Sequence, residues 1–219
     1  MQHSYIVPFC KKQVRIIHHD EHFLLVDKPE FLLSVPGRRA ENKDSVITRL
    51  QQDYPTARMV HRLDLDTSGI MVLPLSAAAL SAFGRMFQRR EITKEYEALV
   101  FGTPRDKFGC IELPIARDWR HRPRQKIDFV NGKASRTDYQ TLSVGKEMTS
   151  RLLLRPRSGR SHQLRIHLRS VGHPILGCDL YAHETAYHMA PRLMLHATRL
   201  SFVHPMTMKL VDVSSTPDF

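Results

Sequence analysis

The sequence has little of what would staple, coordinate or insert a chain. Its 219 residues hold three cysteines, Cys10, Cys110 and Cys178, isolated and without C-x-x-C spacing. That excludes a disulfide framework and a zinc ribbon. No apolar run approaches the roughly 20 residues of a spanning helix. The opening MQHSYIVPFCKK carries a six-residue apolar run, shorter than a secretory core of about 7–15 residues. The expectation is a cytoplasmic protein that uses no membrane. Internal repeats and low-complexity segments are lacking, which excludes a solenoid. Histidines are plentiful but scattered, and His18, His19 and His22 read as decorating a turn rather than binding a metal.

Acidic residues are the minority charge. Thirty-three Lys+Arg against 22 Asp+Glu leave +11, with a pI near 9.9, and point to a polyanionic partner. Nucleic acid leads, with an anionic membrane surface as the competitor. Hydrophobic content of 42% and charged content of 25% are globular values. The length suits one buried core, so a single domain over 1–219 is expected, with 1–13 as an N-terminal extension.

The densest run of chemistry is HRLDLDTSG, residues 61–69. Apolar sequence flanks it, Ala57 to Val60 before and Ile70 to Leu73 after, so it reads as a loop feeding a buried strand. Asp64 and Asp66 are its carboxylates, Arg62 its cation. Three readings of these residues stay open: a catalytic loop, an Asx- or ST-type turn entering a strand, and a divalent-cation site on His61, Asp64 and Asp66.

Around it the chain alternates strand and helix signals. Val14–Ile17 and Phe23–Val26 read as a hairpin, and Lys28-Pro29 ends the second strand. Asp44 is expected to cap a helix from Ser45 to Asp53, and Ser76 one reaching Arg90 with Leu80, Phe83 and Phe87 as its apolar stripe. KEYEALVF (94–101) alternates as a strand, with Tyr96, Ala98 and Val100 on one face. RDWRHRPRQK (117–126) reads either as a solvated basic loop or as an RNA surface in which Trp119 interleaves with Arg117, Arg120 and Arg122. Strands follow at Ala134–Val144 and Arg151–Arg155. A helix is expected from Ser161 to Val171, with Leu164, Leu168 and Val171 buried and His162, Arg165 and Arg169 on another face. Strands Arg192–His204 and Met206–Val211 close the chain. Hairpins with helices on their faces argue α+β.

Several of these segments carry a family likeness. HRLDLDTSG resembles the HRLDxxTSG motif of the RluA-type RNA pseudouridine synthases at all seven fixed positions. KEYEALVFG resembles that family's KxYxAxVxG strand. GRSHQLRIHL matches its GRxHQLRxHL motif at Gly159, Arg160, His162, Gln163, Leu164, Arg165, His167 and Leu168. KPEFLLSV resembles KPxGLxV with Phe31 in place of glycine, and GHPILG, Tyr181 and LHA (195–197) match later segments, with Cys178 where relatives carry aspartate. The 117–126 run resembles one in small family members that act on RNA stem-loops.

The resemblance implies a single catalytic domain with a mixed, mostly antiparallel sheet, flanking helices and a central RNA-binding cleft. It makes Asp64 the catalytic aspartate and Arg165 its ion-pair partner. Tyr96 would pack on the flipped uracil, and Arg62 would fill the place the base leaves. His61, Thr67, Arg160, His162, Arg117, Trp119, Arg120 and Arg122 would contact RNA. The implied reaction isomerises uridine with no net redox change, so neither cofactor nor metal is expected. The implied partner is large-subunit (23S) rRNA and a tRNA anticodon loop rather than DNA, and the protein is expected to be a monomer. The rivals are a metal-dependent nuclease on His61, Asp64 and Asp66, a glycoside hydrolase, which needs two carboxylates flanking the bond, and a non-catalytic RNA-binding module.

Overall fold

A computed structural model describes residues 6–219, so residues 1–5 of the N-terminal extension lie outside the described residues. The described chain divides into two compact units, one formed by residues 6–93 with 197–217, the other by 94–196 with 218–219.

In the first unit, β1 (Arg15–His19) and β2 (Phe23–Lys28) form the expected hairpin, and β2 pairs antiparallel with β3 (Ser68–Pro74). Beyond β3 lies β10 (Leu195–Val203), which pairs antiparallel with β11 (Leu210–Ser214). β3 is buried along its whole length, as its unbroken apolar run requires. Gly69 makes the β3–β10 approach possible: at φ +112°, a Cβ there would stand 2.3 Å from the Ala197 carbonyl oxygen. Phe23, Phe83 and Phe202 pack edge to face at 5.2–5.5 Å in the core of this unit.

Two helices depart from expectation. α1 is only Val46–Leu50, and its cap is Ser45, not Asp44: Ser45 and Thr48 form a reciprocal capping box. Asp44 instead grips Arg49 at 2.6 Å, and Arg49 also donates to the Cys10 and Lys12 carbonyls, tying the N-terminal segment down. α2 (Ala77–Arg89) has the expected Ser76 cap, but its buried stripe is Ala79, Phe83 and Met86, with Leu80 and Phe87 half-buried.

In the second unit, β4 (Thr93–Phe101), β9 (Thr149–Pro156), β8 (Arg136–Val144) and β5 (Phe108–Glu112) lie side by side and antiparallel in that order. The region 117–126 is not simply a loop. β6 (Ile115–Arg117) and β7 (Gln125–Ile127) make a separate two-stranded ribbon, with residues 118–124 as its turn. α3 (Gln163–Ser170) is shorter than expected, and Val171 is exposed at its C-terminus while Gln163 through Leu168 are all buried. α4 (Glu184–His188) had no sequence signal strong enough to announce it. The fold is α+β with a mostly antiparallel sheet.

Candidate active site

The 61–69 loop is held at the backbone on both sides of Asp64. Ser34 Oγ donates to the Leu63 carbonyl at 2.7 Å and accepts from the Leu63 N–H at 3.1 Å. Lys28, fully buried, points its Nζ at three carbonyls: Pro29 (2.8 Å), Leu65 (3.0 Å) and Thr67 (2.8 Å). Burial holds its ammonium down at about 7, against the pull of Asp66, Cys10, Asp64 and Glu30, which favour the charged form. Residues 63, 65 and 67 are thus fixed through their backbone, and Asp64 and Asp66, between and beside them, are half-buried. Thr67 N–H closes the turn on the Asp64 carbonyl at 3.2 Å.

His61 and Thr67 serve the same support. His61 Nε2 accepts from Val72 N–H at 3.0 Å, and its ring lies 4.7 Å from that of Phe87. Thr67 is buried, and Arg62 alone in the loop's first half stands exposed. Neither Lys28 nor Ser34 was singled out from sequence. Their signal was the KPEFLLSV segment itself, read there as a strand end and a loop.

In the second unit the GRSHQLRIHL motif divides by task. Gln163 is saturated: its amide donates to the Arg136 carbonyl and Thr137 Oγ1, and its oxygen accepts from Ser158 Oγ and Arg160 N–H. His167, fully buried, bonds Thr137 Oγ1, Ser135 Oγ and the Leu113 carbonyl at 3.0–3.1 Å. Burial lowers its pKa. These two residues lock α3 onto β8 and leave the others to present charge.

Arg165 does not lie on a surface face, as helical periodicity had suggested. Only 2% of it is exposed. Its Nη2 donates to Asp179 Oδ1 at 2.5 Å and its Nε to Cys178 Sγ at 3.3 Å, and its guanidinium lies 5.5 Å from the Tyr181 ring centre. His162 opens the helix in the left-handed region at φ 54°, and its Nδ1 meets Tyr181 Oη at 2.8 Å. Such strain in a non-glycine residue marks many functional sites. Tyr96 sits on β4 opposite Leu154, half-buried among the Ala98 and Val100 core. Arg160 is exposed and leans on the Ala134 carbonyl.

The basic ribbon carries Arg117, Trp119, Arg120 and Arg122 at the solvent. The guanidinium carbons of Arg117 and Arg122 lie over the Trp119 ring at 4.9 and 4.3 Å. Asp118 fixes the turn, accepting from the Arg120 and His121 N–H groups. The ribbon is joined to the α3 start through Tyr181, whose hydroxyl accepts from Gln125 N–H at 2.7 Å.

Comparison with known proteins accounts for this arrangement. A family model described as RNA pseudouridylate synthase matches residues 22–170. The chain is 46% identical over 204 residues to the dual-specificity RNA pseudouridine synthase RluA of Escherichia coli K12, covering 93% of each. It is 49% identical over 190 residues to the Yersinia pestis protein of the same name, covering 87% of this chain and 92% of that one. Among solved structures, human RNA pseudouridylate synthase domain containing 1 superposes with a TM-score of 0.80 at 29% identity, covering 97% of this chain and 86% of that one. With its loop and helix motifs embedded in that match, the chain belongs to the RNA pseudouridylate synthase family, enzymes that isomerise uridine to pseudouridine in RNA.

Proposed function

We propose that this enzyme is dual in specificity, modifying uridines in stem-loops of both large-subunit rRNA and a tRNA anticodon loop, with Asp64, Tyr96 and Arg165 carrying the chemistry. The isomerisation breaks the N1–C1′ bond and makes a C5–C1′ bond. The hydrogen on C5 is lost and N1 gains one, so the balance requires no external oxidant or reductant. Asp64 supplies the ionised carboxylate at the nucleoside, as nucleophile or as base. Tyr96 stacks on the flipped uracil, and Arg62 occupies the vacancy, offsetting an extrusion cost of a few kcal/mol. Arg160, His162 and the ribbon residues Arg117, Trp119, Arg120 and Arg122 complete the RNA contacts, while His61 and Thr67, expected among them, act through the loop they support.

The observation that carries the reading is the backbone clamp around the half-buried Asp64, inside a family match spanning both compact units. That span supports one catalytic domain over 1–219. The names of the similar proteins support dual specificity. RNA as the polyanionic partner fits the +11 charge together with the family, and the protein is read as a cytoplasmic monomer that acts on neither DNA nor membrane; no helix among the described residues is long and apolar enough to cross a membrane.

The test is tritium release from RNA labelled at uracil C5, in EDTA, by wild type and Asp64→Asn. Release by wild type alone is expected. No release with intact bound RNA, or activity only with added metal, would overturn the assignment. Pseudouridine mapping in RNA from a strain lacking the protein tests duality, which fails if one RNA class alone loses its modification.

A further inference from the structure

A guanidinium cannot shed its proton, so burying one requires a counter-charge and acceptors for its N–H groups. Arg165 is such a group, and its surroundings come largely from one short stretch, Gly177 to Tyr181. Gly177 turns the chain at φ +68°, where a Cβ would stand in collision with the Arg192 carbonyl, so the turn is fixed by close backbone approach. Cys178 and Tyr181 are anchored in the core of the unit. Asp179, between them, has its side chain 53% exposed and its carboxylate on Arg165 at 2.5 Å.

The two bonds engage the Nε/Nη2 edge of the guanidinium, one to Cys178 Sγ and one to Asp179 Oδ1. Holding that edge fixes the plane of the head group and hence the direction of its Nη1. Sulfur is a weak acceptor and contributes little to balancing a positive charge. Of these two partners, Asp179 is the one that brings negative charge. The Tyr181 ring backs the cation at 5.5 Å, and its hydroxyl accepts from Gln125 N–H and shares a second hydrogen bond with His162 Nδ1. Ring and helix start are thereby kept from drifting.

We propose that Asp179 is a positioning residue for the reaction: it acts through Arg165, orienting and balancing its guanidinium. The proposal rests on the reading of Arg165 as a residue of the active site.

The experiment measures kcat and KM by tritium release for wild type, Asp179→Asn, the relocated pair Cys178→Asp/Asp179→Asn, and Asp179→Asn in an Arg165→Lys background, with thermal unfolding of each. Asp179→Asn should lose about 10- to 100-fold in kcat, the scale of a displaced catalytic group, with KM and RNA affinity unchanged. In the Arg165→Lys background the same substitution should cost nothing further. The relocated pair, whose carboxylate faces Nε, should recover most of the loss. Wild-type kcat in a folded Asp179→Asn, a loss confined to KM, additive losses in the two backgrounds, or no recovery on relocation would each overturn the proposal. If Asp179→Asn fails to fold, the relocated pair decides alone: turnover near wild type supports the positioning role, and a folded but inactive pair defeats it. Absence of release by wild type would instead defeat the assignment of function, before Asp179 is at issue.

Discussion

Positive φ is a costly place for a bulky side chain, and Phe31 holds φ 58° just after the Lys28-Pro29 step. The left-handed region costs an L-residue about 1–2 kcal/mol, whereas glycine there gives up about 0.5–1 kcal/mol of chain entropy. The ring is 40% exposed and recovers only part of that difference by packing. Phe31→Gly should therefore stabilise the protein by up to about 1 kcal/mol, raising Tm by roughly 2–4 °C. A lower Tm in thermal unfolding would show that packing of the ring outweighs the strain. Lys28 is the opposite case, a residue whose removal leaves three carbonyls without their donor. An unsatisfied buried acceptor costs about 1–3 kcal/mol, so Lys28→Met should destabilise by about 3 kcal/mol or more and loosen the Asp64 loop. Its pH signature has a definite sign. The unfolded lysine keeps its proton up to its ordinary 10.5 and the folded one releases it near 7. Across that window the unfolded chain binds more protons, and stability rises with pH. Urea unfolding across the window should show a rise in wild type that Lys28→Met flattens; equal slopes would show that Lys28 keeps an ordinary pKa in the folded protein.

Elements whose determinants are local were legible in the sequence. The Ser76 cap, the hairpin of β1 and β2, and the β4 alternation were read correctly because each is written within a few residues. Asp44 misled because aspartate is as good a cap as serine, and only the long-range pull of the N-terminal segment on Arg49 settles which one serves. Lys28 stayed hidden because two of its acceptors lie 37 and 39 residues away. Helical spacing set Arg165 apart from the buried side of α3, and the resemblance gave it Asp64 as partner; its bond to Asp179 left no local signal, because that residue is 14 positions on in a loop with no period. The ribbon of β6 and β7 was masked by arginines that break strand alternation. In that ribbon the Trp119 ring already carries two guanidiniums, which makes it a holder of cations for phosphates more than a platform for a base. Removing it should then act on electrostatics. Trp119→Ala is expected to reduce the slope of log K against log salt for RNA binding by about one for each phosphate the ribbon no longer neutralises, up to two. A stacking role would leave the slope alone and weaken binding by about 1–3 kcal/mol at every salt concentration. Titration of RNA binding against salt separates the two.

At the scale of the whole molecule, affinity and chemistry are assigned to different features. The +11 charge is spread over 219 residues and acts on any polyanion, whereas the reaction is assigned to one carboxylate on a clamped loop. Counterion release makes binding fall steeply with salt, with a log–log slope of about −0.7 per phosphate neutralised on single strands and about −0.9 on duplex. Asp64 contributes nothing favourable to that term. It is a negative group brought towards phosphates, so Asp64→Asn takes the net charge from +11 to +12 and removes a repulsion. The variant should bind unmodified RNA at least as tightly as wild type, with the same salt slope, while releasing no tritium from uracil C5. Equilibrium binding over a range of salt, beside turnover on the same RNA, checks this. A variant that loses affinity and turnover together would mean that Asp64 holds the loop in shape or grips the nucleoside in the ground state. Its catalytic assignment would then have to be sought in turnover at saturating RNA, where a purely binding role predicts full recovery.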